Sequence, residues 1–154
     1  MMWTLFRGGL RRCFLDQSGN VAILFAFSLP VVAGGAAFGL ETGIWYLDQS
    51  KLQQAADAAA YAAGIENRAG STSDVMLTAA QAAAAANGYD TTTDTLALVS
   101  PAVINGVANA NASSVVMTRK EPRFFSQLFD DSTITIRATA VANFTTAANA
   151  CILA

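Results

Sequence analysis

The sequence predicts an α+β chain: a long N-terminal helix, a second helix and a small antiparallel β-sheet. Three observations lead there. Residues 17–40 carry no charge, and residues 21–40 (VAILFAFSLPVVAGGAAFGL) hold one polar side chain, Ser28. From Glu41 to Ile65 the chain continues without proline and is rich in alanine, the best helix former. Beyond Asp94 the composition changes to short runs of valine, isoleucine, leucine and threonine, the residues that suit strands.

The first element is one helix from about residue 20 to about residue 66, roughly 65–70 Å long at the helical rise. Pro30 marks a bend in it, because the proline ring clashes with the preceding turn. Its first twenty apolar residues span about 30 Å, the thickness of a bilayer's hydrocarbon core. This half is expected to span a membrane and the rest to continue outside. Arg7, Arg11 and Arg12 precede the apolar run with Asp16 as the flank's acid, whereas Glu41 and Asp48 come before Lys51 on the other side. Basic flanks stay cytoplasmic, so the N-terminus is expected inside and residues from about 41 outside, with Trp45 and Tyr46 at headgroup level. The competing reading is a cleaved signal peptide with Ala33-Gly34-Gly35 at the cut, although signal-peptide apolar runs are shorter, ~7–15 residues. The chain then divides into a cytoplasmic segment 1–19, the helix and its external continuation 20–66, and a small extracytoplasmic α+β domain 67–154.

Gly70 to Asp74 interrupts the helical pattern, and a serine or threonine followed by an acid starts a new helix. That helix is expected over 74–87, closed by Asn87-Gly88. Residues 90–94 form a loop. Leu96–Val99 and Val115–Thr118 are short strands, and 101–113 is a loop or hairpin. Residues 133–142 alternate, with Ile134, Ile136, Ala138, Ala140 and Ala142 on one face. Phe124, Phe125, Leu128 and Phe129 fit one face of a helical turn. Such a stripe is usually core, so these residues are expected to plug the apolar side of the sheet. The other reading is a partner surface or membrane-dipping patch at Phe124, Phe125 and Phe129.

Gly35, Gly39 and Gly43 stand four apart, which puts them on one helix face and lets another backbone approach closely in lipid. Ala55, Ala59 and Ala63 continue that spacing, and the six are the expected helix-packing residues. Reactive chemistry is excluded more firmly. The chain has no histidine, so no Ser-His-Asp or Cys-His arrangement and no His-ligated metal can form. No phosphate-binding or nucleotide-binding glycine motif occurs, and no catalytic residue, metal or cofactor is expected. A net charge of −2 without a basic stripe gives no reason to expect nucleic acid. The two cysteines, Cys13 and Cys151, fall on opposite sides of the expected membrane, so they do not pair within the chain.

Three stretches carry a family resemblance: Ser18-Gly19-Asn20-Val21-Ala22-Ile23 leading into the apolar helix, Leu40-Glu41-Thr42-Gly43, and Lys51-Leu52-Gln53-Gln54-Ala55-Ala56-Asp57-Ala58-Ala59-Ala60. Over residues 16–65 they resemble the N-terminal region of TadE/TadG-like proteins of the tight-adherence (Flp) pilus system, and the later strands are similar to those of longer TadG-type members. The resemblance implies a pilin-like outline and a Gram-negative inner-membrane protein with its C-terminal domain in the periplasm. It further implies a non-enzymatic role in pilus assembly or adhesion, other pilus-assembly membrane proteins as partners, and a homo-oligomer as an alternative. Two features depart from the family. Pseudopilins of this system are cut after a glycine and carry glutamate at the fifth following position; counting from Gly19, Leu24 stands there, so no cut is expected. The D-x-S-x-S metal motif of longer members is absent, which suggests a short paralogue or a truncated form of a longer protein. The alternative function is a secreted soluble module or adhesin fragment.

Overall fold

The computed structural model describes residues 19–144. The three arginines, Asp16, Ser18 and both cysteines lie outside the described residues. The chain divides into two compact units between Leu40 and Glu41, and helix α1, Gly19–Arg68, runs through the division with Pro30 inside it.

In the first unit, residues 20–40 are exposed except for half-buried Ala37. Ser28 Oγ donates to Phe25 O at 3.1 Å, so the run's polar side chain is satisfied within its own helix. By length and composition this segment can cross a membrane.

The second unit begins with the rest of α1. Its end is set by Gly70 at φ +76°: Ser71 N–H donates to Glu66 O and Gly70 N–H to Asn67 O, a Schellman closure. Helix α2, Ser73–Ala85, ends the same way, with Tyr89 N–H on Ala84 O and Gly88 N–H on Ala85 O. Strands β1 (Asp94–Val99), β4 (Ala112–Glu121) and β5 (Ile134–Asn143) form an antiparallel sheet in the order β1-β4-β5. Between β1 and β4, β2 (Ala102–Ile104) and β3 (Val107–Asn109) make a hairpin turned by Asn105-Gly106, the dipeptide suited to two-residue turns.

The register puts Leu96, Met117 and Ala138 abreast, and next to them Leu98, Val115 and Ala140. This face packs on Leu52, Ala55, Ala56, Ala59, Ala60 and Ala63 of α1 and on Met76, Ala80 and Ala84 of α2. Alanine on both sides brings helix and sheet close, and a Cβ at Gly64 would run into the Phe144 ring. Gln49 and Gln53, one turn apart, donate to Arg137 O (2.8 Å) and Thr139 O (3.1 Å). These carbonyls lie on β5, which pairs on one side only among the described residues. The glutamines therefore occupy polar groups that an open edge would offer to another strand.

Two expectations are corrected. Ala55, Ala59 and Ala63 are buried against the chain's own sheet, because that sheet, not a partner helix, presents the complementary apolar face. The phenylalanine segment does not plug the sheet, since α1 and α2 already cover its apolar side. Its side chains remain exposed, from 51% at Phe125 to 88% at Phe129.

Candidate functional site

The segment between β4 and β5 is built on Glu41. An acid placed directly after twenty apolar residues must be solvated or hydrogen-bonded, and Glu41, at 0% exposure, is fully buried. Phe124 N–H donates to its Oε1 at 2.7 Å, Ser126 N–H to its Oε2 at 2.9 Å, and Ser126 Oγ to Oε1 at 3.0 Å. One carboxylate thus satisfies three donors at the start of the 3₁₀ turn Ser126–Leu128 and fixes that turn to α1.

A second layer of polar contacts closes the loop on itself. Arg123 Nε donates to Ser132 O at 2.9 Å, and its Nη2 lies 3.2 Å from Asp130 Oδ2. Asp130 accepts from Ser132 N–H and Oγ at 2.9 and 2.8 Å, and these bonds hold its carboxyl below the usual carboxylate range. With Glu41 and Arg123 bonded to its backbone, the loop presents Phe124, Phe125, Leu128 and Phe129 outward, beside the exposed Gln127, Asp130 and Asp131. The arrangement offers no activated nucleophile or acid–base pair. Among the described residues no three His, Cys, Asp or Glu side chains gather to hold a metal. What the loop can do chemically is remove apolar surface from water.

The other sequence-predicted residues are placed as follows. A Cβ at Gly35, Gly39 or Gly43 would meet no heavy atom within 4 Å, so this face of α1 can receive a close backbone. The structure brings Phe124 and Glu41 together but leaves the glycines apart from the three buried alanines. Glu41, Arg123 and Ser126 do not stand out in the sequence as site residues. The available signal was the position of Glu41, an acid ending an apolar run.

A different polar cluster holds the start of β1. Arg119 grips Asp94 with both nitrogens of its fork, Nε to Oδ1 at 2.6 Å and Nη2 to Oδ2 at 2.5 Å, and also donates to Gly88 O. Burial alone would raise the Asp94 carboxyl, but the Arg119 fork and the Asp90 N–H outweigh it and hold it below its ordinary value. This ion pair closes the α2–β1 connection and is structural.

Residues 19–87 match the model of the Tad family, described as "Putative Flp pilus-assembly TadE/G-like". No curated protein and no solved structure matches the chain. The match takes in α1 and α2 and ends before β1. It contains Glu41 and the glycine face but not the phenylalanine loop that Glu41 holds.

Proposed function

We propose that this chain, whose residues 19–87 are TadE/G-like, is a membrane-anchored, non-enzymatic component of Flp/Tad-type pilus assembly or adhesion. It acts by helix packing and protein–protein contacts. Residues 20–40 anchor it in the inner membrane with the N-terminus cytoplasmic, and the domain beginning at Glu41 works in the periplasm. The observation that carries this reading is the exposure of residues 20–40. A helix apolar on all sides is stable when buried or in lipid, and this one finds no cover among the described residues. Other pilus-assembly membrane proteins would meet it at Gly35, Gly39 and Gly43, or a second copy of the chain would. The domain would offer Phe124, Phe125 and Phe129 as a contact surface toward a partner or the membrane.

A secreted module is the second reading. It is favoured by the separation of the chain into two units at Leu40 and Glu41. Gene deletion followed by complementation distinguishes the two. Deletion should abolish surface pili, and the full chain should restore them. A form with a cleavable secretion signal in place of residues 1–40 should not. Restoration by that soluble form would favour the secreted module, and normal piliation after deletion would remove the pilus role altogether.

A further inference from the structure

We infer that the Phe124–Phe129 loop is an interfacial lipid-binding element that inserts its phenylalanines and Leu128 at the outer surface of the same membrane. The inference rests on the proposed anchor. If residues 21–40 fill the hydrocarbon core, the polar boundary of the bilayer falls at residue 41. The group bonded there is the loop itself, with Phe124 N–H and Ser126 N–H on the Glu41 carboxylate at 2.7 and 2.9 Å. The loop is therefore held at the depth where lipid headgroups meet acyl chains. At that depth exposed phenylalanine and leucine are favourable, and amphipathic surface elements use these residues to enter membranes.

Three further observations favour lipid over water or protein as the covering medium. Among the large apolar side chains of the described residues, Leu128 and Phe129 are the most exposed, at 85% and 88%. Glu41, Arg123, Asp130 and Ser132 are bonded to one another or to the loop, while Gln127, Asp130 and Asp131 stay exposed and would sit among the hydrated headgroups. Insertion is therefore shallow, with the apolar side chains reaching past the headgroups and the exposed carboxylates left in the hydrated layer, since the bilayer core cannot hydrogen-bond them. Around the loop, Lys120 and Arg123 are offset by Glu121, Asp130 and Asp131. Attraction to anionic headgroups is thus not the driving force, and binding should be insensitive to anionic lipid content. Glu41 serves as the tether that holds the loop beside the first residue after the apolar run.

The test uses the full chain with Cys13→Ser and Cys151→Ser. A single cysteine carrying an environment-sensitive fluorophore is placed at Phe129, Leu128, Phe27 or Val103. The protein is reconstituted alone into phosphatidylcholine vesicles with nitroxide-bearing lipids. Phe27 lies within the anchor and should be quenched by deep nitroxides. Val103 sits in the β2–β3 hairpin. Nearby Ala110 is held by Asn67, about 40 Å further along α1 at ~1.5 Å per residue, so Val103 should not be quenched. Phe129→Cys and Leu128→Cys probes should lose about half of their fluorescence to shallow nitroxides, equally with and without phosphatidylglycerol. Quenching at Phe27 without quenching at Phe129 or Leu128 overturns the lipid assignment alone and leaves the patch to a protein partner. No quenching at Phe27 overturns the anchor and this inference with it. Emission at Phe129 that shifts to the blue without nitroxide quenching would mean that a second copy of the chain covers the patch, and would also overturn the inference.

Discussion

Residues 20–40 and 41–68 belong to one helix and share a composition of small and apolar side chains, yet they are stabilised in opposite ways. The second half buries Leu52, Ala55, Ala56, Ala59, Ala60 and Ala63 to 1% exposure or less against a sheet from its own chain. In the first half Val21, Phe27 and Val31 are more than 70% exposed. Helical spacing of small residues therefore has two meanings in this molecule. Around Ala59 it records how close a sheet lies, and around Gly39 it leaves a face on which a Cβ would touch nothing within 4 Å. The pattern reveals that something packs closely, and the rest of the chain decides whether that partner is internal.

The largest expected effect lies in the packed region and concerns its charge. Asp94→Ala leaves Arg119, largely shielded from water, without its partner, which should cost about 3 kcal/mol of domain stability. The sign of the pH dependence follows from the lowered Asp94 value. Its contribution is complete above the ordinary carboxylate value of about 3.9 and is lost as pH falls through the depressed folded value. Thermal melts should lose stability on acidification below about pH 4, and Asp94→Asn should flatten that part of the profile. Residues 21–40 contain no titratable group, so the helicity of that half in lipid should not follow this profile. A shared acid transition would break the comparison.

A steric version of the contrast comes next. Ala59→Leu adds three carbons where the exposure is 0% and should destabilise the domain by about 2–3 kcal/mol through overpacking. The same enlargement at exposed Ala36 should leave the melting temperature unchanged. Equal effects at the two sites would mean that both halves pack within the chain.

Much of this architecture is legible in the sequence, for identifiable physical reasons. Unbroken helix formers followed by Gly70 and Gly88 define both helices to within a few residues, because glycine alone takes the closing left-handed conformation readily. The alternation over 133–142 is a period-2 pattern facing an apolar layer, and it matches β5. Strand β4 is longer than Val115–Thr118 suggests. Its polar ends, Ser113 and Arg119 to Glu121, are held by pairing with β5, which local propensity does not reveal. The site was less legible. Glu41 reads as one acid flanking an apolar run, but the donors it satisfies stand 83 and 85 positions away. The exposure of the phenylalanines depends on whether α1 and α2 leave room over the sheet, a question of three-dimensional area that spacing along the chain does not answer.

At the junction of the two halves, Glu41→Gln retains the size of the side chain but replaces one acceptor oxygen with a donor amide. One of the loop's donors then loses its acceptor, a local cost of about 2 kcal/mol. The expected readout is amide exchange some 10–100-fold faster at Phe124 and Ser126, with little change in the global melt. Unchanged exchange at both amides would show that the loop keeps its place without the carboxylate.

The smallest expected effect is in the exposed half and is read in association rather than stability. Replacing Gly35 or Gly39 with isoleucine puts a branched side chain on the glycine face of the helix. Within the chain the change should be silent, because a Cβ at either position meets no atom within 4 Å and isoleucine favours the bilayer. If another helix packs there in the membrane, the backbones must separate. Contacts between helices in lipid are worth on the order of 1–2 kcal/mol, so one substitution should weaken association about tenfold. Val32→Ile, already apolar and 68% exposed, adds one methylene toward lipid and should do little. Crosslinking or co-purification with pilus-assembly membrane proteins at equal expression separates these outcomes. If all three variants associate like the unmodified chain, the glycines are incidental. The two halves of α1 would then differ only in solvent, one facing lipid and the other its own sheet, and the contact surface for partners would have to lie in the domain beyond Glu41.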